Sequence, residues 1–135
     1  MSRNAVAEER SPASERLHAE TSAEGASVAI VIPCFEVARH IAGVIRSIPQ
    51  HYSTIICIDD GSRDGTAEVI AQLADPRVTV IRHPRNRGVG GAMKTGYMEA
   101  LRLGAEICVK MDGDGQMSGE DLEELVAALA DGTGR

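Results

Sequence analysis

The sequence predicts an α/β fold in which an open, mainly parallel sheet is flanked by helices. Four short apolar runs are typical of strands, and stretches with helical spacing of apolar residues alternate with them. The runs are continuously apolar, which is typical of strands covered on both faces. A polar or glycine-rich loop follows each run. Because ligands bind parallel sheets beyond the carboxyl ends of the strands, these loops form the candidate functional site.

The first strand is predicted over residues 28–32. Pro33 is expected to end it, because proline has no N–H to donate to a neighbouring strand. An amphipathic helix follows and stops before Pro49, with an apolar face made of Ile41, Val44, Ile45 and Ile48. A second buried strand is predicted over residues 54–58.

A second helix is predicted from Thr66 to about Pro76, with Val69, Ile70 and Leu73 on one face. The third strand covers residues 78–81, and a polar loop follows it. This order again places a polar segment at the end of an apolar run.

The third helix is predicted over residues 88–103. One stripe of this helix carries only small residues, which let it lie close to its neighbour: Ala92, Gly96 and Ala100. The fourth strand covers residues 107–111. Ser118 and Asp121 have the spacing of a capping box and start the last helix, whose buried face is Leu122, Leu125, Val126 and Leu129.

Composition limits the function classes. The 135 residues suit one domain, predicted over residues 27–135 after a disordered arm over residues 1–26. A net charge of -6 argues against a nucleic-acid partner. No apolar run approaches the roughly 18 residues of a membrane span, and no secretory signal is recognisable. The three scattered cysteines, Cys34, Cys57 and Cys108, indicate buried thiols in the reducing cytoplasm.

Two carboxylates after the fourth strand indicate a metal site. Asp112 and Asp114 are separated by one glycine, and Gln116 offers a further oxygen. Such hard oxygen ligands suit Mg²⁺ or Mn²⁺ bound to phosphate, and a cation relieves the repulsion between the carboxylates. A solvated acidic turn before a helix is the simpler alternative. A calcium loop ending at Glu123 is disfavoured, because Met117 stands where that loop needs glycine.

The loop after the second strand offers Asp59 and Asp60, whose carboxylates can accept from ribose hydroxyls or from a base N–H. Asp64 is expected to hold the turn that follows. The glycine-rich stretch from Gly88 opens a helix, and helix N-termini attract anions. Nearby basic residues either meet a diphosphate or form a solvated face: Arg85, Arg87 and Lys94. The histidines with no partner spacing are expected on the surface: His40, His51 and His83.

Four motifs stand in a fixed order along the chain. They are Ile32-Pro33-Cys34-Phe35, Ile58-Asp59-Asp60-Gly61-Ser62-Arg63-Asp64-Gly65-Thr66, Asn86-Arg87-Gly88-Val89-Gly90 and Met111-Asp112-Gly113-Asp114-Gly115-Gln116. Together they resemble the motifs of inverting family 2 glycosyltransferases, in particular polyprenol-phosphate sugar transferases of the dolichol-phosphate mannose synthase type. The resemblance runs from Val28 to the end, and the combination is more specific than any single motif.

The resemblance implies the Rossmann-like, nucleotide-sugar-binding half of a GT-A fold. Pro33 and Phe35 match residues that flank the base, and Asp59 and Asp60 match residues that contact the nucleoside. Further implied nucleotide contacts are Glu36, Asn86, Gly88 and Gly113. The metal-binding Asp-x-Asp motif is matched by Asp112 and Asp114, with Gln116 beside it, and the implied metal is Mg²⁺ or Mn²⁺.

The implied reaction is inverting transfer of a sugar from a GDP- or UDP-sugar to a polyprenyl phosphate or a glycan. Such transfer serves cell-wall or polysaccharide biosynthesis at the inner face of the membrane. Family members continue into an acceptor-binding half with the general base, so this chain is expected to be a truncated part with little activity alone. No catalytic residue is assigned, and Glu36 and Val37 stand where the family usually has Asn-Glu.

Two other classes of function remain open. A non-catalytic nucleotide-binding module, or a relic of an enzyme, would keep the fold without the reaction. A dinucleotide-binding oxidoreductase is disfavoured, because the glycine fingerprint is missing after the first strand.

Overall fold

The computed structural model describes residues 27–131, so the predicted arm over residues 1–26 and the last four residues lie outside the described residues. Within this range four strands alternate with four helices. The strands are β1 (Val28–Cys34), β2 (Ile55–Asp59), β3 (Val78–Arg82) and β4 (Ile107–Lys110). The helices are α1 (Ile41–Ser47), α2 (Thr66–Leu73), α3 (Gly88–Arg102) and α4 (Gly119–Ala130). The predicted α/β fold class is confirmed, and the observed ends differ from the predicted ones by only a few residues.

The four strands form one parallel sheet in the order β3-β2-β1-β4. From β1 the chain moves outward through β2 to β3, and it then returns to place β4 on the opposite side of β1. The strand order therefore reverses between β1 and β4. Ligands bind parallel α/β sheets at such a reversal, beyond the carboxyl ends of the strands.

Both faces of the sheet are covered. On one face Ile30, Ile32 and Cys34 of β1 pack in a cluster with residues of α1, α2 and α4. On the other face Ala29 and Val31 pack in a cluster with residues of α3. Successive side chains of β1 are thus buried on opposite faces, which explains why the strand is apolar at every position instead of alternating.

The small-residue stripe of α3 lets this helix lie close to its neighbour, as predicted, and that neighbour is the sheet. Ala92 and Ala100 are buried, and a Cβ added to Gly96 would lie 2.3 Å from Cγ1 of Val31. The helix can approach β1 this closely only because position 96 has no side chain.

Pro33 lies inside β1 instead of ending it, so that prediction was wrong. Backbone groups of β1 point alternately to its two neighbours: Cys34 accepts from the Asp60 N–H on the β2 side, and Val31 accepts from the Met111 N–H on the β4 side. By this alternation the nitrogen of Pro33 faces the β4 side, where β4 has already ended at Lys110. The missing N–H therefore leaves no broken ladder bond, and β1 continues to Cys34.

The start of α4 confirms the predicted capping box. The Ser118 hydroxyl accepts from the Asp121 N–H at 3.0 Å, and the Asp121 carboxylate accepts from the Ser118 N–H at 3.1 Å. Among residues 27–131, no helix combines the length and the apolar content that crossing a membrane requires.

All three cysteines are free thiols. Cys34 and Cys57 are buried, as predicted, whereas Cys108 is only half buried. A hydrogen bond with Cys57 and burial raise the pKa of the Cys34 thiol well above its ordinary value, and burial raises the pKa of Cys108 to about 11. The thiols of Cys34 and Cys108 are therefore protonated at neutral pH.

Candidate functional site

The loops that follow the four strands meet at the carboxyl edge of the sheet. The β1–α1 loop and the β2–α2 loop are joined first. At Glu36 the backbone adopts φ 57°, its N–H donates to the Ser62 hydroxyl at 2.9 Å, and its carboxylate accepts from the Arg63 N–H at 2.9 Å. A left-handed conformation at a residue other than glycine carries strain, which these two hydrogen bonds offset.

Asp64 and Thr66 extend the same junction. The Val37 N–H donates to the Thr66 hydroxyl and the Ala38 N–H donates to the Asp64 carboxylate, each at 3.1 Å. The hydrogen bond from the Thr66 hydroxyl, helped by backbone N–H groups, lowers the pKa of the Asp64 carboxyl. Asp64 therefore holds the turn, which is the role that the sequence indicated.

The two acidic residues at the end of β2 are both buried. Asp59 is 2% exposed, accepts from the Ser62 N–H at 3.1 Å and lies 3.7 Å from Nε of Arg82. Asp60 is 3% exposed, and its Oδ1 accepts from the Arg87 N–H at 2.9 Å. Burying carboxylates is unfavourable unless donors satisfy them, and here backbone N–H groups do so.

His83 is buried rather than on the surface, so the prediction for this residue was wrong, whereas His40 and His51 are exposed as predicted. The backbone N–H of His83 donates to the backbone carbonyl of Asp59, which extends the β2–β3 pairing by one hydrogen bond. Its Nδ1 lies 2.7 Å from Oδ1 of Asp60, and its Nε2 lies 2.9 Å from the Thr95 hydroxyl. Its place directly after a buried strand was the one sequence signal for this burial.

The β3–α3 loop is also fixed against the β2–α2 loop through the backbone. A Cβ added to Gly61, which has φ +80°, would lie 2.7 Å from the nitrogen of Asn86. The side chain of Asn86 accepts from the Gly88 N–H at 2.8 Å. The predicted contacts Asn86 and Gly88 thus shape the turn that leads into α3.

The β4–α4 loop is more exposed. The side chain of Asp112 is 51% exposed and lies 3.4 Å from Nζ of Lys110. Asp114 is exposed and accepts from the Gln116 N–H at 3.2 Å. Within residues 112–116 only Gly113 is buried, and a Cβ on it would lie 3.4 Å from the Pro33 carbonyl oxygen.

Gly113 therefore brings the two sides of the strand reversal together. Pro33, near the end of β1, lies against the loop that carries Asp112 and Asp114, and Phe35, two residues further on, is 51% exposed. The predicted site residues thus fall into two groups, a linked set after β1, β2 and β3 and an exposed acidic loop after β4. The predicted basic residues Arg85, Arg87 and Lys94 are all exposed.

The donor set of the acidic loop suits a divalent cation that also binds phosphate. In the part of the chain that the structure describes, no group of three or more His, Cys, Asp or Glu side chains has the geometry of a metal site. Mg²⁺ is usually held by one or two carboxylates together with substrate phosphates, so it does not need such a cage. The pair of exposed aspartates fits this mode of binding.

Comparison with known proteins agrees with the fold and with the family that the sequence resembles. A family model described as glycosyl transferase family 2 matches residues 29–134. A UDP-N-acetylglucosamine–dolichyl-phosphate N-acetylglucosaminyltransferase from Methanococcus voltae is 32% identical over 115 residues, which cover 74% of this chain and 46% of that protein. A polyprenol monophosphomannose synthase from Mycolicibacterium smegmatis is 33% identical over 107 residues, which cover 74% of this chain and 40% of that protein.

A solved structure has the same fold. The mannosyltransferase PcManGT from Pyrobaculum calidifontis, in complex with GDP-Man and Mn²⁺, aligns with a TM-score of 0.66 and 23% identity. The alignment covers 79% of this chain and 33% of that one. The chain spans less than half the length of these relatives.

Proposed function

Because the chain belongs to glycosyl transferase family 2, we propose that it binds a nucleotide-diphosphate sugar for inverting transfer of the sugar. One observation carries this proposal: the packing of Gly113 on Pro33 joins the acidic β4–α4 loop to the end of β1 at the strand reversal. A diphosphate bound at the acidic loop would then leave its nucleoside within reach of the loops after β1 and β2.

The part of the proposed site that binds the nucleoside, which we call the nucleoside end, consists of residues after β1 and β2. The exposed ring of Phe35, beside Pro33, offers a flat apolar surface to a base. Asp59 and Asp60 offer acceptor oxygens, and Asp60 has fixed geometry because two donors hold it. The side chains of Glu36 and Asn86 accept hydrogen bonds from backbone N–H groups of the protein itself. We therefore propose that these residues shape the loops around the nucleotide.

The diphosphate end consists of the acidic loop and a divalent cation. We assign Asp112 and Asp114 as ligands of Mg²⁺ or Mn²⁺, with the Gln116 side chain beside them. When bound, the metal supplies positive charge that stabilises the leaving diphosphate. A protein with a net charge of -6 needs such a cation to bring a diphosphate to two carboxylates.

The acceptor is proposed from the relatives. One is named as a dolichyl-phosphate N-acetylglucosaminyltransferase and another as a polyprenol monophosphomannose synthase. We therefore propose a polyprenyl phosphate as acceptor and place the reaction at a cytoplasmic membrane surface, in cell-wall or polysaccharide biosynthesis. The donor is a GDP- or UDP-sugar, since the named donors include both bases.

Calorimetric titration with GDP and UDP, with and without Mn²⁺, tests the donor site. We expect one nucleotide to bind in the presence of Mn²⁺ and to bind at least about tenfold more weakly without it. Asp112→Asn should weaken the Mn²⁺-dependent binding by a similar factor, whereas Glu124→Gln, an exposed neutralisation on α4, should leave it unchanged. Nucleotide binding that is unchanged by Mn²⁺ and by Asp112→Asn would contradict the proposed metal role. Failure to bind either nucleotide would favour a relic of an enzyme.

A further inference from the structure

A buried polar chain lies behind the loops that we assign to the nucleoside. It runs from Oδ1 of Asp60 through the imidazole of His83 to the Thr95 hydroxyl of α3, with heavy-atom separations of 2.7 and 2.9 Å. The His83 side chain is 0% exposed and that of Asp60 is 4% exposed. A buried chain of this kind has one fixed geometry, because each member depends on the hydrogen bond of the next.

The chemistry of these three hydrogen-bonded side chains indicates where their protons lie. An ionised carboxylate only accepts hydrogen bonds, so Nδ1 of His83 must carry the proton that faces Asp60. In the neutral imidazole Nε2 is then an acceptor, and the Thr95 hydroxyl donates to it. The carboxylate of Asp60 thus favours this tautomer, and the Thr95 hydroxyl completes the hydrogen bonding of the second ring nitrogen.

The same contacts orient the carboxylate of Asp60. Its Oδ1 accepts two hydrogen bonds, from His83 and from the Arg87 N–H at 2.9 Å. Two donors on one oxygen fix the rotation of the carboxylate about its last torsion. Over residues 27–131 no group donates a hydrogen bond to Oδ2, and this oxygen keeps some exposure to solvent. Oδ2 is therefore left to accept from a ligand at the edge of the sheet.

We propose that His83 is a positioning residue for nucleoside recognition, acting through Asp60. His83 and Thr95 hold the carboxylate so that Oδ2 faces a base N–H or a ribose hydroxyl of the bound nucleotide. This inference rests on the proposed binding of a nucleotide-diphosphate sugar. It concerns the nucleoside end alone, because the predicted metal ligands lie on the β4–α4 loop.

A positioning role and a purely structural role of His83 lead to different measured affinities. A histidine that only fills space would change nucleotide affinity independently of Asp60, and the effects of the two substitutions would add. A histidine that acts through Asp60 has no further effect once the acceptor carboxylate is gone. It also has no effect on a ligand that lacks a nucleoside.

The experiment is a double-mutant cycle in the 135-residue chain, using calorimetric titration of GDP and UDP with Mn²⁺. His83→Phe keeps a ring and removes both hydrogen bonds, and we expect about tenfold weaker nucleotide binding. His83→Asn, whose amide can still donate to Asp60, should recover most of the affinity. His83→Phe should have no further effect in an Asp60→Asn background. Inorganic diphosphate with Mn²⁺ should bind equally to the unmodified protein and to all of these variants.

Thr95 provides variants that leave the buried imidazole in place. Thr95→Val removes only the hydroxyl and should weaken nucleotide binding about threefold, whereas Thr95→Ser keeps the hydroxyl and should not. This pair decides the matter if His83→Phe does not fold. Additive effects in the cycle, or equal affinities for Thr95→Val and Thr95→Ser, would overturn the inference. Failure of the unmodified protein to bind either nucleotide would instead overturn the proposed function, and the inference with it.

Discussion

The loops after β1, β2 and β3 differ in construction from the loop after β4. The first three are tied to one another by buried or half-buried groups, among them Asp60, His83 and Thr66. The fourth presents Asp112 and Asp114 to solvent, with an exposed Lys110 beside one of them. We refer to these as the linked loops and the acidic loop.

For the nucleotide that we propose as ligand, the difference indicates which part each region is prepared to bind. The linked loops are preorganised, so a nucleoside does not have to order them on binding. The acidic loop brings two like charges into one turn, and a bound cation would relieve their repulsion. We therefore expect nucleotide and metal to bind cooperatively, with the metal organising the acidic loop.

The largest expected effect comes from forcing the linked loops apart. Gly61→Ala would place a Cβ 2.7 Å from the Asn86 nitrogen, at a residue with φ +80°. We expect the free energy of unfolding to fall by about 3 kcal/mol, because strain and overpacking add. Urea unfolding followed by circular dichroism measures the change.

Gly65→Ala is the matched control for this prediction. Gly65 has φ +87°, but nothing lies within 4 Å of an added Cβ. The control should therefore lose only about 1 kcal/mol from backbone strain. Equal losses in the two variants would mean that the linked loops do not depend on close contact between Gly61 and Asn86.

The same comparison explains how much of the molecule could be predicted from sequence. Strands and helices follow from local apolar patterns, and the capping box at Ser118 is a local signal as well. The predictions for Pro33 and His83 were wrong because segments distant in sequence surround these two residues. The end of β4 removes the partner that Pro33 would have needed, and His83 is buried because Asp60 and Thr95 converge on it.

The motif residues show the same limit. Asp59, Asp60 and Asp112 could be named from the sequence as candidates, but their different exposures could not. Asp60 is buried with two donors, whereas Asp112 is half exposed beside Lys110. Sequence spacing places a residue at a strand end, and only the packing of other loops determines what its carboxylate contacts.

An intermediate effect is expected from Asp64, because its ionised form joins the linked loops. Its pKa is lowered in the folded chain, chiefly by the Thr66 hydroxyl, so its stabilising effect is complete above the unfolded value of about 3.9. That contribution is lost as the pH falls through the folded pKa. Asp64→Asn should reduce stability at pH 7 by less than Gly61→Ala does, and the gap from the unmodified protein should narrow below about pH 4.

Thermal unfolding between pH 3 and pH 7 measures this pH dependence. Glu124→Gln, the exposed neutralisation on α4, is the control and should follow the unmodified protein. A stability gap for Asp64→Asn that stays constant from pH 7 to pH 3 would show that the hydrogen bonds do not require the ionised carboxylate.

The smallest expected effect tests the exposed side of the comparison. Lys110 lies 3.4 Å from Asp112, and both side chains are about half exposed, so their attraction is weak. A cation at Asp112 must nevertheless compete with it. Lys110→Met should therefore raise the affinity for Mn²⁺ alone about two- to fivefold at low salt, with almost no change in thermal stability. Lys94→Met, at the other lysine of the chain, removes the same charge from α3 and should have a smaller effect. Equal effects of the two substitutions would mean that overall charge, rather than the pairing with Asp112, governs the metal affinity of the acidic loop.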